Sequence, residues 1–368
     1  MLSCKSKPVS TSSDAFQPDT RFKVVGYLLA GNFGEIDSIE LDRITHLCLA
    51  FANPDPAGNL VMDSEGDMEY VVKKAHKAGV KVLISLAGGG KPDKDIWKRV
   101  LGPDARDSFI SSIMTFVETN NLDGVDVDIE WNLLPAIDTL YEPFVVGLGN
   151  ALHAKSKIIT TALDASRIHP AVTSASLAAY NFINIMAYDK TGPWRPDLPG
   201  QHSPFSFAES ALKYWTIDLK MAPEKLVLGM PFYGYNFDPV GSKQYAEIVK
   251  MDVNNAYSNE FGQLYYNGIP EIVRKTVFAR ENCGGVMFWE LSQDTYDDLS
   301  LLRAVDQTLK AGTCEVKLFF RDEDGDGFGT ILKPYHACEA PKGYVVNSDD
   351  VDDSDRGMTL ISISAEET

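Results

Sequence analysis

In the stretch Asp123-Gly124-Val125-Asp126-Val127-Asp128-Ile129-Glu130-Trp131, acids alternate with branched apolar residues without a break from Val125 to Glu130. A period of two is the pattern of a β-strand, so Val125, Val127 and Ile129 share one face while Asp126, Asp128 and Glu130 share the other. Three neighbouring carboxylates are costly to desolvate, and like charges at that spacing raise the pKa of at least one of them. A fold gains no stability from such a face. It is either a solvated edge strand or a surface kept for chemistry.

Seven further apolar runs accompany the acidic strand, which spans 122–131. They cover 22–30, 44–51, 80–86, 157–163, 182–188, 225–232 and 285–289, each bounded by turn residues. Amphipathic segments lie between them at 68–77, 108–119, 143–154, 207–219 and 269–280, and another at 299–310 is placed to close the set. Eight strand-helix units predict an α/β fold, the (β/α)8 TIM barrel, over residues 21–312. A doubly wound open sheet would need a glycine-rich phosphate turn after its first strand, and Gly31-Asn32-Phe33-Gly34 matches one poorly.

The whole chain has 368 residues, 44% of them hydrophobic and 10% aromatic, enough for one large domain with an appendage. A net charge of -18 disfavours nucleic acid or an anionic membrane as partner and suits a neutral or weakly cationic substrate. No apolar window reaches the length of a transmembrane helix. Residues 1–20 form a polar tail in which Cys4 is a candidate lipid anchor of the bacterial lipoprotein type, implying an extracellular or cell-surface location, although the apolar region that should precede it is not in this sequence. Cys48 and Cys283 adjoin apolar runs and read as buried thiols, whereas Cys314 and Cys338 flank an acidic, glycine-rich segment and could pair in an oxidising compartment.

In a barrel of this kind the site lies at the C-terminal ends of the strands. Those ends carry Tyr27, Phe51, Ser85 with Gly88-Gly89-Gly90, the acids Asp126, Asp128 and Glu130, then Met186, Tyr188, Asp189, Tyr233, Met287 and Trp289. Flat aromatic faces beside carboxylates suit a sugar: rings stack on pyranose faces and oxygens bond hydroxyls.

The acidic strand resembles the D-G-x-D-x-D-x-E signature of family 18 glycoside hydrolases, the chitinase family. Ser85-Leu86-Ala87-Gly88, Met186-Ala187-Tyr188-Asp189 and Gly285-Val286-Met287-Phe288-Trp289 match further parts of its pattern. The likeness covers about residues 22–310. Two departures stand out: Ala87 replaces a usual glycine, and only about fifty residues separate Tyr233 from Gly284, too few for the large α+β insertion that deepens the cleft in one branch of the family. The resemblance implies a shallower cleft and no catalytic cofactor. Neighbours two apart on a strand are about 6.8 Å apart, so one strand can supply an acid and its helper but not a nucleophile from the far side of the sugar. The resemblance implies that the nucleophile is the substrate's own 2-acetamido oxygen, with Glu130 as general acid and then base, Asp128 orienting the acetamido N–H, and Asp126 tuning Asp128. It further implies that Tyr188 holds the acetamido oxygen, that Asp189 and Tyr27 shape the subsite, and that Trp289 forms its floor; Ser85 either bonds Asp126 or serves as a turn residue. The implied substrate is a β-1,4-linked N-acetylglucosamine glycan, chitin or its oligomers. Alternatives are an endoglycosidase for the N-glycan core, a barrel that binds chitin without cutting it, and, more remotely, a metal-dependent hydrolase.

After residue 313 the composition turns acidic. Asp322-x-Asp324-x-Asp326-Gly327 has the spacing of an EF-hand loop, with Lys333 at the twelfth position in place of glutamate. Asp349, Asp350, Asp352 and Asp353 offer further ligands, so a structural Ca2+ in the segment 313–368 is an expectation.

Overall fold

The computed structural model describes residues 21–62 and 67–356; Cys4 and the rest of the proposed N-terminal tail lie outside these, as do residues 357–368 of the C-terminal segment. Eight parallel strands close on themselves: β1 (Lys23–Leu29), β2 (His46–Pro54), β3 (Lys81–Ala87), β4 (Gly124–Asp128), β5 (Ile158–Asp164), β6 (Phe182–Met186), β7 (Leu226–Pro231) and β8 (Gly285–Trp289). Each pairs with its neighbour in sequence, and β1 pairs with both β2 and β8, so the sheet has no free edge within the barrel. The solvated-edge reading of the acidic strand falls on this point, because β4 lies between β3 and β5.

Alternation along β4 is realised as written. Val125, Val127 and Ile129 are fully buried in the layer between strands and helices, and Asp126 and Asp128 are buried on the other face, inside the barrel. Strand β4 is shorter than the run 122–131 that predicts it: Glu130 and Trp131 lie beyond its last ladder pair. There the Glu130 carbonyl accepts the Leu133 and Leu134 amides and turns the chain into the helix Leu134–His153. That segment starts nine residues before the predicted 143–154, is kinked at Asp138 where the backbone is not helical, and holds Pro143 inside it.

Between β7 and the helix Ile269–Asn282 no large insertion is present. The chain instead builds a compact four-stranded antiparallel sheet from Tyr233–Phe237, Val240–Gln244, Glu260–Phe261 and Leu264–Tyr265, with the short helix Tyr245–Met251. After the helix Leu301–Lys310, a three-stranded sheet (Lys317–Arg321, Thr330–Ala337, Tyr344–Val345) is closed by a disulfide between Cys314 and Cys338, while Cys48 and Cys283 are free. No helix among the described residues is long and apolar enough to cross a membrane.

Candidate active site

The register of the ladder builds the site. Ser85, Asp126 and Thr160 are direct partners on β3, β4 and β5, so their side chains enter the barrel at one level. Ser85 Oγ donates to Asp126 Oδ2 at 2.7 Å, Thr160 Oγ1 to Oδ1 at 2.7 Å, and Tyr27 Oη from β1 to Oδ2 at 2.7 Å. Asn184 Nδ2 donates in turn to Tyr27 Oη at 3.1 Å. Burial raises the pKa of Asp126, and these donors hold it down, so the two influences oppose each other.

Asp128 has no such support. It is 3% exposed, its Oδ1 is buried without a hydrogen-bond partner, and burial together with the charges of Glu130 and Asp126 pushes its pKa well up. Glu130 is pushed up to about 7 by burial and by the charges of Asp189 and Asp164. Three acids on one wall therefore titrate as a set, with at least one proton retained near neutrality.

The turn after β3 wraps this wall. Gly88 N donates to the Asp128 carbonyl at 2.8 Å, and Asn132 Nδ2 clamps the Gly90 carbonyl at 2.7 Å. Ala87 and Gly88 both adopt positive φ, and a Cβ on Gly88 would lie 2.4 Å from the Phe51 ring. A Cβ on Gly89 would meet Glu130 Oε1 at 2.8 Å. Gly88 thus lets the backbone pass close to Phe51, and Gly89 lets it pass close to the acid. The departure at Ala87 is tolerated in a left-handed conformation that costs a non-glycine residue some stability.

Aromatic side chains form the surroundings. Trp289 stacks on Phe51 at 5.5 Å between centroids and lies 5.5 Å from the Tyr27 ring. Tyr188 is 8% exposed with its hydroxyl 3.9 Å from Met287 Sδ, and Tyr233 Oη donates to Asp189 Oδ1 at 2.5 Å. Three hollows open at this end of the barrel. One of about 530 Å³ is lined by Glu130, Trp131, Met186, Tyr188, Asp189 and Trp194. A second of about 820 Å³ reaches from Phe51 toward Asn53, Lys91 and Trp97, and a third of about 410 Å³ lies between Asp189, Tyr233, Tyr235 and Trp289.

All the residues nominated at the strand ends come to this end of the barrel, but three of those expected to contact substrate do not line it. Tyr27, Ser85 and Met287 are 1%, 0% and 0% exposed. Tyr27 and Ser85 spend their hydroxyls on Asp126, so they position the acids from behind the wall. Several site residues escaped sequence reading. Trp131 and Trp194 are 37% and 56% exposed; the Arg167 guanidinium covers Trp131 at 4.3 Å, and Trp194 meets Tyr235 edge-on at 5.2 Å. His202 is fully buried, with Nδ1 3.4 Å from Asp189 Oδ1 and Nε2 3.2 Å from the Tyr233 carbonyl. Thr160 and Asn184 had a visible signal, a polar residue at an inward position of an apolar strand, whereas His202 and Trp194 come from a loop with no such periodicity.

A closed parallel barrel with a wall of acids and stacking rings at its C-terminal mouth presents a site suited to a sugar. Residues 23–294 match the model of glycosyl hydrolases family 18, and the chain belongs to that family. A GH18 chitinase from the chitin utilization locus of Flavobacterium johnsoniae is 42% identical, with a TM-score of 0.75 over 78% of this chain and 94% of that one. A chitinase from Bacteroides thetaiotaomicron is 31% identical, with a TM-score of 0.70 over 78% and 96%. Among curated relatives, "Probable chitinase 10" of Drosophila melanogaster is 24% identical over 81% of this chain, which spans 16% of that protein's length. The chain likewise spans 55% of a chitinase-like effector of Moniliophthora roreri, at 28% identity.

Proposed function

We propose that the chain hydrolyses β-1,4 linkages of N-acetylglucosamine glycans, chitin or its oligomers, with retention of configuration and with the substrate's acetamido oxygen as nucleophile. The observation that carries the reading is the unpartnered, buried Oδ1 of Asp128 beside Glu130. An acetamido N–H satisfies that oxygen and is itself turned so that its carbonyl oxygen faces the anomeric carbon. Of the other acids whose charge raises the Glu130 pKa, Asp189 accepts a hydrogen bond from Tyr233, and Asp164 from Ser166 N and Oγ.

Glu130 donates its proton to the glycosidic oxygen as the acetamido oxygen bonds to C1, the C1–O bond breaks, and an oxazolinium ion forms, as family 18 is known to do. Asp128 stabilises the positive charge on the acetamido nitrogen, and Asp126 supports it by sharing a proton. The Glu130 carboxylate then takes a proton from water whose oxygen attacks C1, which opens the ring and restores the acid. The two chitinase structures above 30% identity support chitin as the polymer. Location outside the cytoplasm is part of the same proposal, and the Cys314–Cys338 disulfide supports it.

The test is a chito-oligosaccharide hexamer with proton NMR of the first product anomer, beside a cello-oligosaccharide. Release of the β-anomer, with no cleavage of the glucan, is expected. Cleavage of the glucan, or an initial α-anomer, overturns the mechanism.

A further inference from the structure

The C-terminal segment holds carboxylates that the barrel chemistry does not use. Asp322, Asp324 and Asp326 each bring one oxygen to within 4.8 Å of the others. The loop is shaped by its own backbone. Gly325 N and Gly327 N donate to Asp322 Oδ1 and Oδ2 at 2.7 and 3.2 Å, Asp326 N to Asp324 Oδ1 at 3.0 Å, and Phe328 N to Asp326 Oδ1 at 2.8 Å. That leaves Asp324 Oδ2 and Asp326 Oδ2 buried with no hydrogen-bond partner.

The chain then returns to this loop from beyond Lys333, beginning at Asn347. Asn347 bridges Gly329 N and the Gly327 carbonyl, and Asp350 N donates to the Gly329 carbonyl at 3.1 Å. Asp350 is only 4% exposed; one of its oxygens accepts the Asp352 amide at 2.9 Å, and Oδ2 is buried and unpartnered, facing the charges of Asp326, Asp353 and Asp324. Asp353 Oδ1 accepts Glu323 N at 2.6 Å, and its Oδ2 is also buried without a hydrogen bond. Lys333 Nζ is 3.6 Å from that oxygen but is committed to Glu323 Oε2 at 2.7 Å. Four carboxylate oxygens without a hydrogen bond therefore share one acidic cluster, and only that of Asp353 has a cation, Lys333, within ion-pair distance among the described residues. Buried unpaired charge of one sign is not stable without a counter-ion.

We propose that this cluster is a calcium site, in which the oxygens of Asp324, Asp326, Asp350 and Asp353 converge on one ion and Asp322 closes the loop around it. An EF-hand takes its last ligand from the twelfth loop position, which here is Lys333. Asp350 and Asp353 on the returning chain supply that acid instead. Asp349 contributes none of the orphaned oxygens, and Asp352 spends its Oδ1 on Ser354 N and Oγ, so both fall outside the set. Oxygen-only ligands from a loop and a distant segment suit the larger, geometrically tolerant calcium over magnesium or a transition metal. The ion ties the returning chain to the three-stranded sheet. That sheet rests on the barrel through Tyr257 Oη, which donates to the Ile331 carbonyl at 2.6 Å, and His336 N, which donates to Gln307 Oε1 at 2.9 Å.

The experiment strips the full chain with EDTA, dialyses it, and titrates it with calcium chloride and separately with magnesium chloride by calorimetry, with melting curves alongside. One calcium per chain with a dissociation constant below about 1 mM, and a higher melting temperature with calcium, are expected. Magnesium should bind at least about tenfold more weakly, and Asp350→Asn should weaken calcium at least about tenfold, while Asp352→Asn and Glu130→Gln bind as the parent does. Should Asp350→Asn not fold by circular dichroism, Asp324→Asn carries the same expectation. Absence of calcium heat and of any melting shift in the folded parent overturns the site. Undiminished binding in Asp350→Asn and Asp324→Asn overturns the ligand set, and equal magnesium affinity overturns the calcium assignment.

Discussion

Glu130, held to a pKa of about 7 by burial and by Asp189 and Asp164, is ready as an acid at and below neutrality. The limb of kcat/KM that reports loss of this proton should fall as pH rises through about 7, and Glu130→Gln should lower kcat by about a thousandfold with oligosaccharide binding retained. The same shift has a stability sign. The folded state binds more protons than the unfolded one between the ordinary glutamate range and about pH 7, so stability falls as pH rises across that interval and the penalty is complete above it. Glu130→Gln should therefore melt higher than the parent at pH 8, with the gap closing toward pH 5; equal melting at both values refutes the burial argument. Tyr27 acts through Asp126 and is a positioning residue. Tyr27→Phe removes one of three hydroxyl donors that lower the pKa of Asp126 against the effect of burial, so kcat should fall about tenfold with little change in KM, and the acidic limb of the profile should move to higher pH.

Among the elements, the turn after β3 lies directly against the acid. Gly89→Ala places a methyl 2.8 Å from Glu130 Oε1, and the expected outcome is a large loss of kcat with a melting temperature close to the parent's. The helix Ile269–Asn282 reaches the site less directly. Lys275 on it is fully buried and donates to the Ser203 carbonyl, to Ser203 Oγ and to Asn267 Oδ1, and Ser203 Oγ donates to the Ala187 carbonyl beside Tyr188. Lys275→Met strands those acceptors in the interior and should cost about 2–4 kcal/mol in denaturant unfolding.

For the whole molecule, the barrel and the C-terminal sheet are predicted to respond separately to chemistry. The disulfide closes a sequence separation of 24 residues, a loop whose cross-link is worth roughly 3 kcal/mol in the chain-entropy account. Cys314→Ser with Cys338→Ser should therefore loosen the C-terminal sheet to proteolysis while hydrolysis at Glu130 continues unchanged. The compact sheet after β7 shows why insertion length alone is an uncertain guide to the cleft. Its Tyr233 and Tyr235 reach the Asp189 side of the site although the excursion is short.

The barrel was legible in the chain because its strands are buried on both faces and its acids alternate, patterns that a single sequence displays locally. The three acids, Tyr188 and Trp289 followed from the same periodicity, joined to the rule that barrel sites lie at strand ends. Partnership was legible only in part: the Ser85–Asp126 bond was one of two expectations and the Cys314–Cys338 pair another. That Tyr27 faces Asp126, that His202 backs Asp189, and that Asp350 returns to the Asp322–Asp326 loop depend on contacts across 99, 13 and more than 20 residues of chain. Sequence alone determined which residues alternate and therefore which face inward. Only the tertiary structure decided which inward groups meet, because hydrogen bonds and charge repulsion act through space, whereas periodicity records only position along the chain.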